Sequence, residues 1–207
     1  MGEYSFLIAI AIVFMFGTMS PGPSFILVAK TAVSKPFSEG IGVSIGLSIG
    51  AVFFTLLAIF GLYALFETVP FLYGIFKLFG GVYLLYLAYK IWKHSGESLL
   101  MDMKLEKSSK GFFKAMLFGF ITQISNPKTA IIIGSIFAAL LPKELPAYSE
   151  LLLCLIAFSI DAIWYSMVVV LLSTKKSQKI YLQFKKYIDR VAGTLLAALG
   201  IKIALDY

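Results

Sequence analysis

Residues 5–29 run for 25 positions without a single charged side chain. A hydrocarbon core about 30 Å thick is crossed by about 20 helical residues at 1.5 Å each, so this run is long enough to span a bilayer. Five more apolar runs follow, at about 41–65, 71–92, 115–141, 151–172 and 188–205. Strands of a membrane barrel would be shorter and would alternate in polarity, which these do not. Six helical spans use roughly 120 residues and leave about 85 for connections. Composition points the same way: 59% of the 207 residues are hydrophobic and 14% charged, where a soluble domain carries about 25% charge. With a mean hydropathy of +0.90, a soluble globule is excluded, and disorder, nucleic-acid binding or a sizeable extramembrane catalytic domain find no room. The expected fold class is an all-α membrane protein, one polytopic domain over 1–207. Its opening, Met1-Gly2-Glu3-Tyr4, lacks the basic leader and short apolar core of a secretory signal, so the first span reads as retained.

The net charge of +7 comes from 18 Lys and Arg against 11 Asp and Glu, and its distribution orients the chain. Lys30 and Lys35 follow the first span; Lys90, Lys93, Lys104, Lys107, Lys110 and Lys114 flank or fill the third connection; Lys175, Lys176, Lys179, Lys185, Lys186 and Arg190 do so for the fifth. The second connection, around Glu67 and Pro70, has no Lys or Arg, and the fourth has Lys143 alone. Under the positive-inside rule connections one, three and five face the cytoplasm, so both termini of a six-span chain face outward. The stretch 94–112 reads as a cytoplasmic linker between halves 1–93 and 113–207, and His94, the only histidine, as a solvated residue within it. Tyr4, Tyr73, Tyr148 and Tyr207 fall near the outer edges, as an aromatic belt would.

The halves resemble each other. At an offset of 112, Gly81, Leu84, Leu87, Lys90 and Ile91 meet Gly193, Leu196, Leu199, Lys202 and Ile203. Pro21-Gly22-Pro23 interrupts the first span of half one, and Asn126-Pro127 the first span of half two, at an offset of 106. Each half has three spans, an odd number, so the second enters the membrane in the opposite sense. The outcome is two inverted three-helix repeats with spans one and four broken at proline motifs, the plan of many secondary transporters, whose substrates bind at the breaks.

Proline explains the breaks. It lacks a backbone N–H and clashes with the preceding turn, and Gly22 does nothing to stiffen the segment. Carbonyls one turn upstream lose their donors, and in lipid these must be satisfied by protein, water or ligand. Thr18, Ser20 and Ser24 flank the first break; Gln123, Ser125, Thr129 and the cation Lys128 flank the second. An isolated kink would be structural. Two in matching places, each with polar neighbours, point to a substrate site of Ser20, Pro21, Gly22, Pro23, Ser24, Gln123, Asn126, Pro127 and Lys128.

Asp161 lies mid-span, about ten residues from either end. An ionised carboxylate there costs at least ~2.5–3.5 kcal/mol, so it is paired or protonated, with Lys128 the obvious salt-bridge partner. That makes Asp161 the candidate for proton or ammonium coupling. Lys77 and Lys202 sit nearer span ends and can snorkel. Gly42, Gly46 and Gly50, with Ser44 and Ser48 between, form a small-residue face for close approach of another helix, the broken span being the expected one. Cys154, the single cysteine, reads as a small core residue. No cofactor or metal cluster is called for.

Five segments in order carry a family resemblance: Pro21-Gly22-Pro23; Ala58-Ile59-Phe60-Gly61-Leu62; Lys77-Leu78-Phe79-Gly80-Gly81-Val82-Tyr83-Leu84; Gly119-Phe120-Ile121-Thr122-Gln123-Ile124-Ser125-Asn126-Pro127-Lys128; and Asp189-Arg190-Val191-Ala192-Gly193. Together they resemble the lysine exporter (LysE/RhtB) superfamily over nearly the whole chain. The resemblance implies a secondary active transporter in the cell membrane that exports amino acids or related small solutes, driven by a proton or ion gradient, and not an enzyme. Members often carry an Asp and then a His after the position of Gly50, where this chain has Ala51 and Phe54. Asp161 mirrors that missing acid at an offset of 110. With one deep acid, a dibasic substrate has few anionic partners, so a neutral amino acid is favoured. The expected partners are the amino-acid substrate, protons and the lipid bilayer, with a homo-oligomer left open.

Three alternatives remain at this stage. A heavy-metal or other cation exporter finds poor ligand spacing, since Cys154 and Asp161 are seven apart and no His lies in a span. A membrane-embedded enzyme acting on lipid or isoprenoid phosphates would need a cluster of acids, His or Arg near one interface, and Arg190 is the only Arg. A non-transporting membrane subunit is separated only by a flux assay.

Overall fold

The computed structural model describes residues 4–20, 22–69, 71–93, 95 and 111–205. Among these, eight helices and no strand are found: α1 Ser5–Met19, α2 Pro23–Ser34, α3 Phe37–Thr68, α4 Leu72–Lys93, α5 Phe112–Ile124, α6 Pro127–Leu140, α7 Ser149–Leu172 and α8 Lys175–Leu205. Each expected apolar run is helical, and the first and fourth are each split in two at their proline motifs. α1 and α2 meet at an angle of 59°. Pro23 and Pro127 each stand at the start of a helix, where the missing N–H costs nothing and the fixed φ suits the first turn. Pro21, His94, Tyr207 and nearly all of the 94–112 linker lie outside the described residues, as do the side chains of Tyr73 and Lys77.

Among the described residues two helices are long and apolar enough to cross a membrane, Phe37–Leu65 and Ser149–Leu172, and the bent α1–α2 pair makes a third candidate span. Large apolar side chains cover the outside: Phe60 is 62% exposed, Ile8 66% and Ile163 69%. Such a surface suits lipid and not water. The chain is an all-α membrane protein.

α3 packs chiefly on α5 and α7, and α4 on α8 and α6. α3 and α5 run side by side in the same direction: Gly42 lies against Phe112 and Ala115, Gly46 against Met116, and Gly50 against Gln123. The contact is so close that a Cβ on Gly46 would fall 1.9 Å from the Met116 carbonyl oxygen. The small-residue face therefore receives the first half of the second broken span. α3 and α7 run in opposite directions: Gly40 near the start of α3 meets Val169 near the end of α7. Likewise Gly81 of α4 meets Gly200 and Ile203 of α8, while Gly193 meets Trp92.

Three details differ from the sequence reading. The basic stretch expected as a fifth connection is helical from Lys175 onward. Its Lys, Gln and Leu residues are good helix formers, and helix need not stop where the apolar run begins. α3 likewise starts four residues earlier than the apolar run, directly after Pro36. Cys154 is half-buried rather than a core residue.

Candidate functional site

The two breaks face each other. Residues from both, with the middle of α7, line a small cavity of about 30 Å³, its wall including Thr18, Ser20, Gly22, Ser24, Gln123, Asn126, Lys128 and Asp161. Except for the two prolines that start helices and for Pro21, outside the described residues, every sequence-predicted site residue lies on its wall.

Local structure at the breaks places these groups. α1 ends at Ser20, whose backbone turns extended at φ −67°, ψ 125°, while its N–H still donates to the Gly17 carbonyl. α6 is capped at its N-terminus by Asn126, whose Oδ1 accepts from the Lys128 backbone N–H at 3.0 Å; Asn is among the best residues for this.

From Asn126 a chain of hydrogen bonds crosses the site. Asn126 Nδ2 donates to Ser24 Oγ at 2.9 Å, Ser24 Oγ donates to Gln123 Oε1, and Gln123 Nε2 donates to Asp161 Oδ2 at 3.0 Å. Thr18 Oγ1 donates to Asp161 Oδ1 at 2.7 Å. Both ends fix this polarity. An acceptor-only carboxylate must face the Gln123 nitrogen, and the helix cap holds the Asn126 oxygen, leaving its nitrogen for Ser24. Gln123, Asn126, Ser24 and Asp161 are all buried, Asp161 to 1% exposure, so each of these bonds replaces one that water cannot supply.

Lys128 is held elsewhere than expected. Its Nζ donates to the Ser20 carbonyl at 2.7 Å and to Ser20 Oγ at 2.9 Å, and its stem lies over Gly22, where a Cβ would come within 2.8 Å of Cδ. The Asp161 carboxylate is met by Thr18 and Gln123, both neutral, and not by the lysine. The reason is geometric. Lys128 is the second residue of α6 and points at the end of α1, whose outward carbonyls and partial negative charge attract a cation.

Residues that sequence reasoning passed over include Tyr165, Phe14 and Phe25, which complete the wall. Tyr165 lies one helical turn beyond Asp161, so i,i+4 spacing could have found it. The two phenylalanines carry no such signal in an apolar run. Ala51 and Phe54, at the places of the family's Asp and His, belong to or pack on the apolar core. Among the described residues no group of three His, Cys, Asp or Glu side chains comes together as a metal site.

Comparison with known proteins places the chain. It is 28% identical to the threonine efflux protein of Salmonella typhi over 203 residues, covering 95% of this chain and 96% of that one. It is 27% identical to the threonine efflux protein of Escherichia coli (strain K12) over 204 residues, with 96% and 97% covered. An uncharacterized membrane protein of Haemophilus influenzae is 26% identical, with 94% and 93% covered. No solved structure matches. The profile of the LysE type translocators matches residues 15–207. Over nearly its whole length, then, the chain belongs to the LysE type translocator family, and it is a membrane transporter, not an enzyme.

Proposed function

We propose that this protein exports a small neutral amino acid across the cell membrane in exchange for protons. The observation that carries the reading is the meeting of two broken helices around one cavity lined by a half-buried cation, Lys128, and a buried acid, Asp161. A zwitterionic amino acid presents the complementary pair of charges. The starts of α2 and α6, with the Lys128 ammonium, suit its carboxylate, and Asp161 is placed to carry the proton. The relatives named threonine efflux proteins support threonine as the first substrate to try. Six spans in two inverted repeats, with both termini outward and connections one, three and five in the cytoplasm, form the scaffold; the antiparallel pairing of α3 with α7 and α4 with α8 supports it.

The test is efflux from liposomes carrying the purified protein, with and without an imposed pH gradient. Threonine efflux is expected to be gradient-driven, and Asp161→Asn to lose its dependence on the gradient. Full transport by Asp161→Asn with unchanged pH dependence would remove Asp161 from the mechanism, and no efflux of any amino acid by the folded protein would remove the export reading.

A further inference from the structure

We infer that the open end of α1 at Ser20 is the subsite for the substrate's ammonium group, and that Lys128 is its tethered occupant, displaced each time substrate binds. The inference rests on the amino-acid export reading and adds to it the place of the amino group.

The end of α1 has the chemistry of an ammonium site. Where Pro21-Gly22-Pro23 interrupts the helix, the last carbonyls of α1 are left without the amide donors of a next turn, and the helix dipole adds partial negative charge. A primary ammonium carries three donors and no acceptor, which is what such an end takes up. The Lys128 ammonium already sits there, 2.7 Å from the Ser20 carbonyl oxygen and 2.9 Å from Ser20 Oγ. An α-ammonium group offers the same donors. Asp161, the other candidate for the amino group, already accepts one hydrogen bond on each oxygen, from Thr18 and Gln123, and among the described residues no cation sits on it, whereas the Ser20 end holds one.

The lysine also has a seat made for it, at the end of a flexible stem. Its stem crosses Gly22, where a side chain would meet Cδ at 2.8 Å and Nζ at 3.0 Å, so the absence of a Cβ there makes the seat. At the offset of 106 that takes Pro21 to Pro127, Gly22 and Lys128 are equivalent residues, so one half supplies a cation and the other the space for it. A substrate ammonium entering at Ser20 releases Lys128, whose ammonium then meets the substrate carboxylate beside the start of α6. Substrate is thus required to bring both charges: a carboxylate alone does not free the lysine, and an ammonium alone leaves it unpaired. Lys128 is on this account a specificity-determining residue.

The test measures binding to the purified protein of threonine and of ethylammonium, an ammonium with no carboxylate. Wild type is expected to bind threonine and to take ethylammonium at least tenfold more weakly. Lys128→Ala vacates the subsite, and ethylammonium affinity is expected to rise at least tenfold over wild type while the advantage of threonine collapses. Gly22→Ala reaches the same state by another route. Gly22 has an extended backbone with φ −167°, which alanine adopts without strain, and the new methyl pushes aside a flexible side chain rather than backbone. It too is expected to admit ethylammonium, and it decides the matter should Lys128→Ala fail to fold. A folded variant with no gain in ethylammonium binding overturns the inference. Failure of wild type to bind any amino acid, with ethylammonium gained in the variants, would instead overturn the export reading and leave the ammonium subsite standing.

Discussion

Ser24 joins the two broken spans with one hydroxyl. It accepts from Asn126 and donates to Gln123, so its removal takes this partner from a buried amide nitrogen and leaves a buried carbonyl with only a long contact from Thr129. Leaving buried polar groups unsatisfied costs about 1–3 kcal/mol each. Ser24→Ala is therefore expected to lower stability by about 2 kcal/mol and to slow efflux at least tenfold, read by thermal melting in detergent and by liposome flux. Thr129 makes the informative contrast. Its Oγ1 lies 3.4 Å from Gln123 Oε1, too far to contribute much, so Thr129→Val is expected to stay near wild type in both assays. Equal damage from the two would mean that bulk in the cavity wall matters and the connected chain does not. At this scale the sequence was informative about membership and silent about pairing. Ser20, Ser24, Gln123, Asn126, Lys128 and Asp161 stand out as polar residues in apolar runs beside prolines. Opposite charge alone suggested Lys128 with Asp161; the direction in which α6 starts, which no composition encodes, sends the lysine to Ser20 instead.

Glycines at the element scale divide by what they touch. Gly46 packs backbone to backbone on α5, and a methyl there would overlap the Met116 carbonyl oxygen at 1.9 Å, while Gly61, on the same helix, has nothing within 4 Å of where its Cβ would be. Overpacking a tight interface typically costs 1–3 kcal/mol, and an overlap with backbone belongs at the upper end. Gly46→Ala is expected to lower stability by about 3 kcal/mol. Gly61→Ala is expected to be neutral or to stabilise by up to about 1 kcal/mol, since alanine favours helix over glycine. Melting of the two variants side by side checks this, and loss of stability in Gly61→Ala would show that the outer face of α3 is packed on another molecule rather than on lipid. The four-residue spacing of Gly42, Gly46 and Gly50 was visible in the sequence and so was its meaning as a contact face. Gly61 carries no mark that sets it apart, because exposure to lipid and burial against a helix look alike in an apolar run. The basic segment opening α8 shows the opposite limit: the apolar run begins at about 188, but the helix begins at Lys175.

For the whole molecule, proline pairs and span parity were enough to suggest an inverted repeat, and the arrangement of helices allows that idea to be pressed further. A two-fold axis in the membrane plane would exchange α1 with α5, α2 with α6, α3 with α7 and α4 with α8. It would turn the α3–α5 contact into an α7–α1 contact and the α4–α6 contact into α8–α2. The first of each pair is extensive here; α1 lies much less fully on α7, and α2 does not pack on α8 among the described residues. The second broken span is thus clasped by α3 and α4, and the first is held more loosely. If the halves exchange roles during transport, the α3–α5 contact must open in the opposite-facing state, whereas α3 and α7, partners across the axis, stay together in both. Two disulfides separate these cases in a Cys154→Ser background. A Cβ on Gly42 would lie 3.4 Å from that of Ala115, and one on Gly40 would lie 3.5 Å from that of Val169, both close to the Cβ separation of about 3.8 Å that a disulfide prefers. Oxidation of the Gly42→Cys, Ala115→Cys pair is expected to arrest efflux at least tenfold, with recovery in reductant, and the reduced protein controls for the crowding at the Phe112 carbonyl. Oxidation of the Gly40→Cys, Val169→Cys pair is expected to leave more than half of the efflux. Continued transport with α3 locked to α5 would mean that these two helices move as one body, and that α1 and α2 alone open and close the cavity.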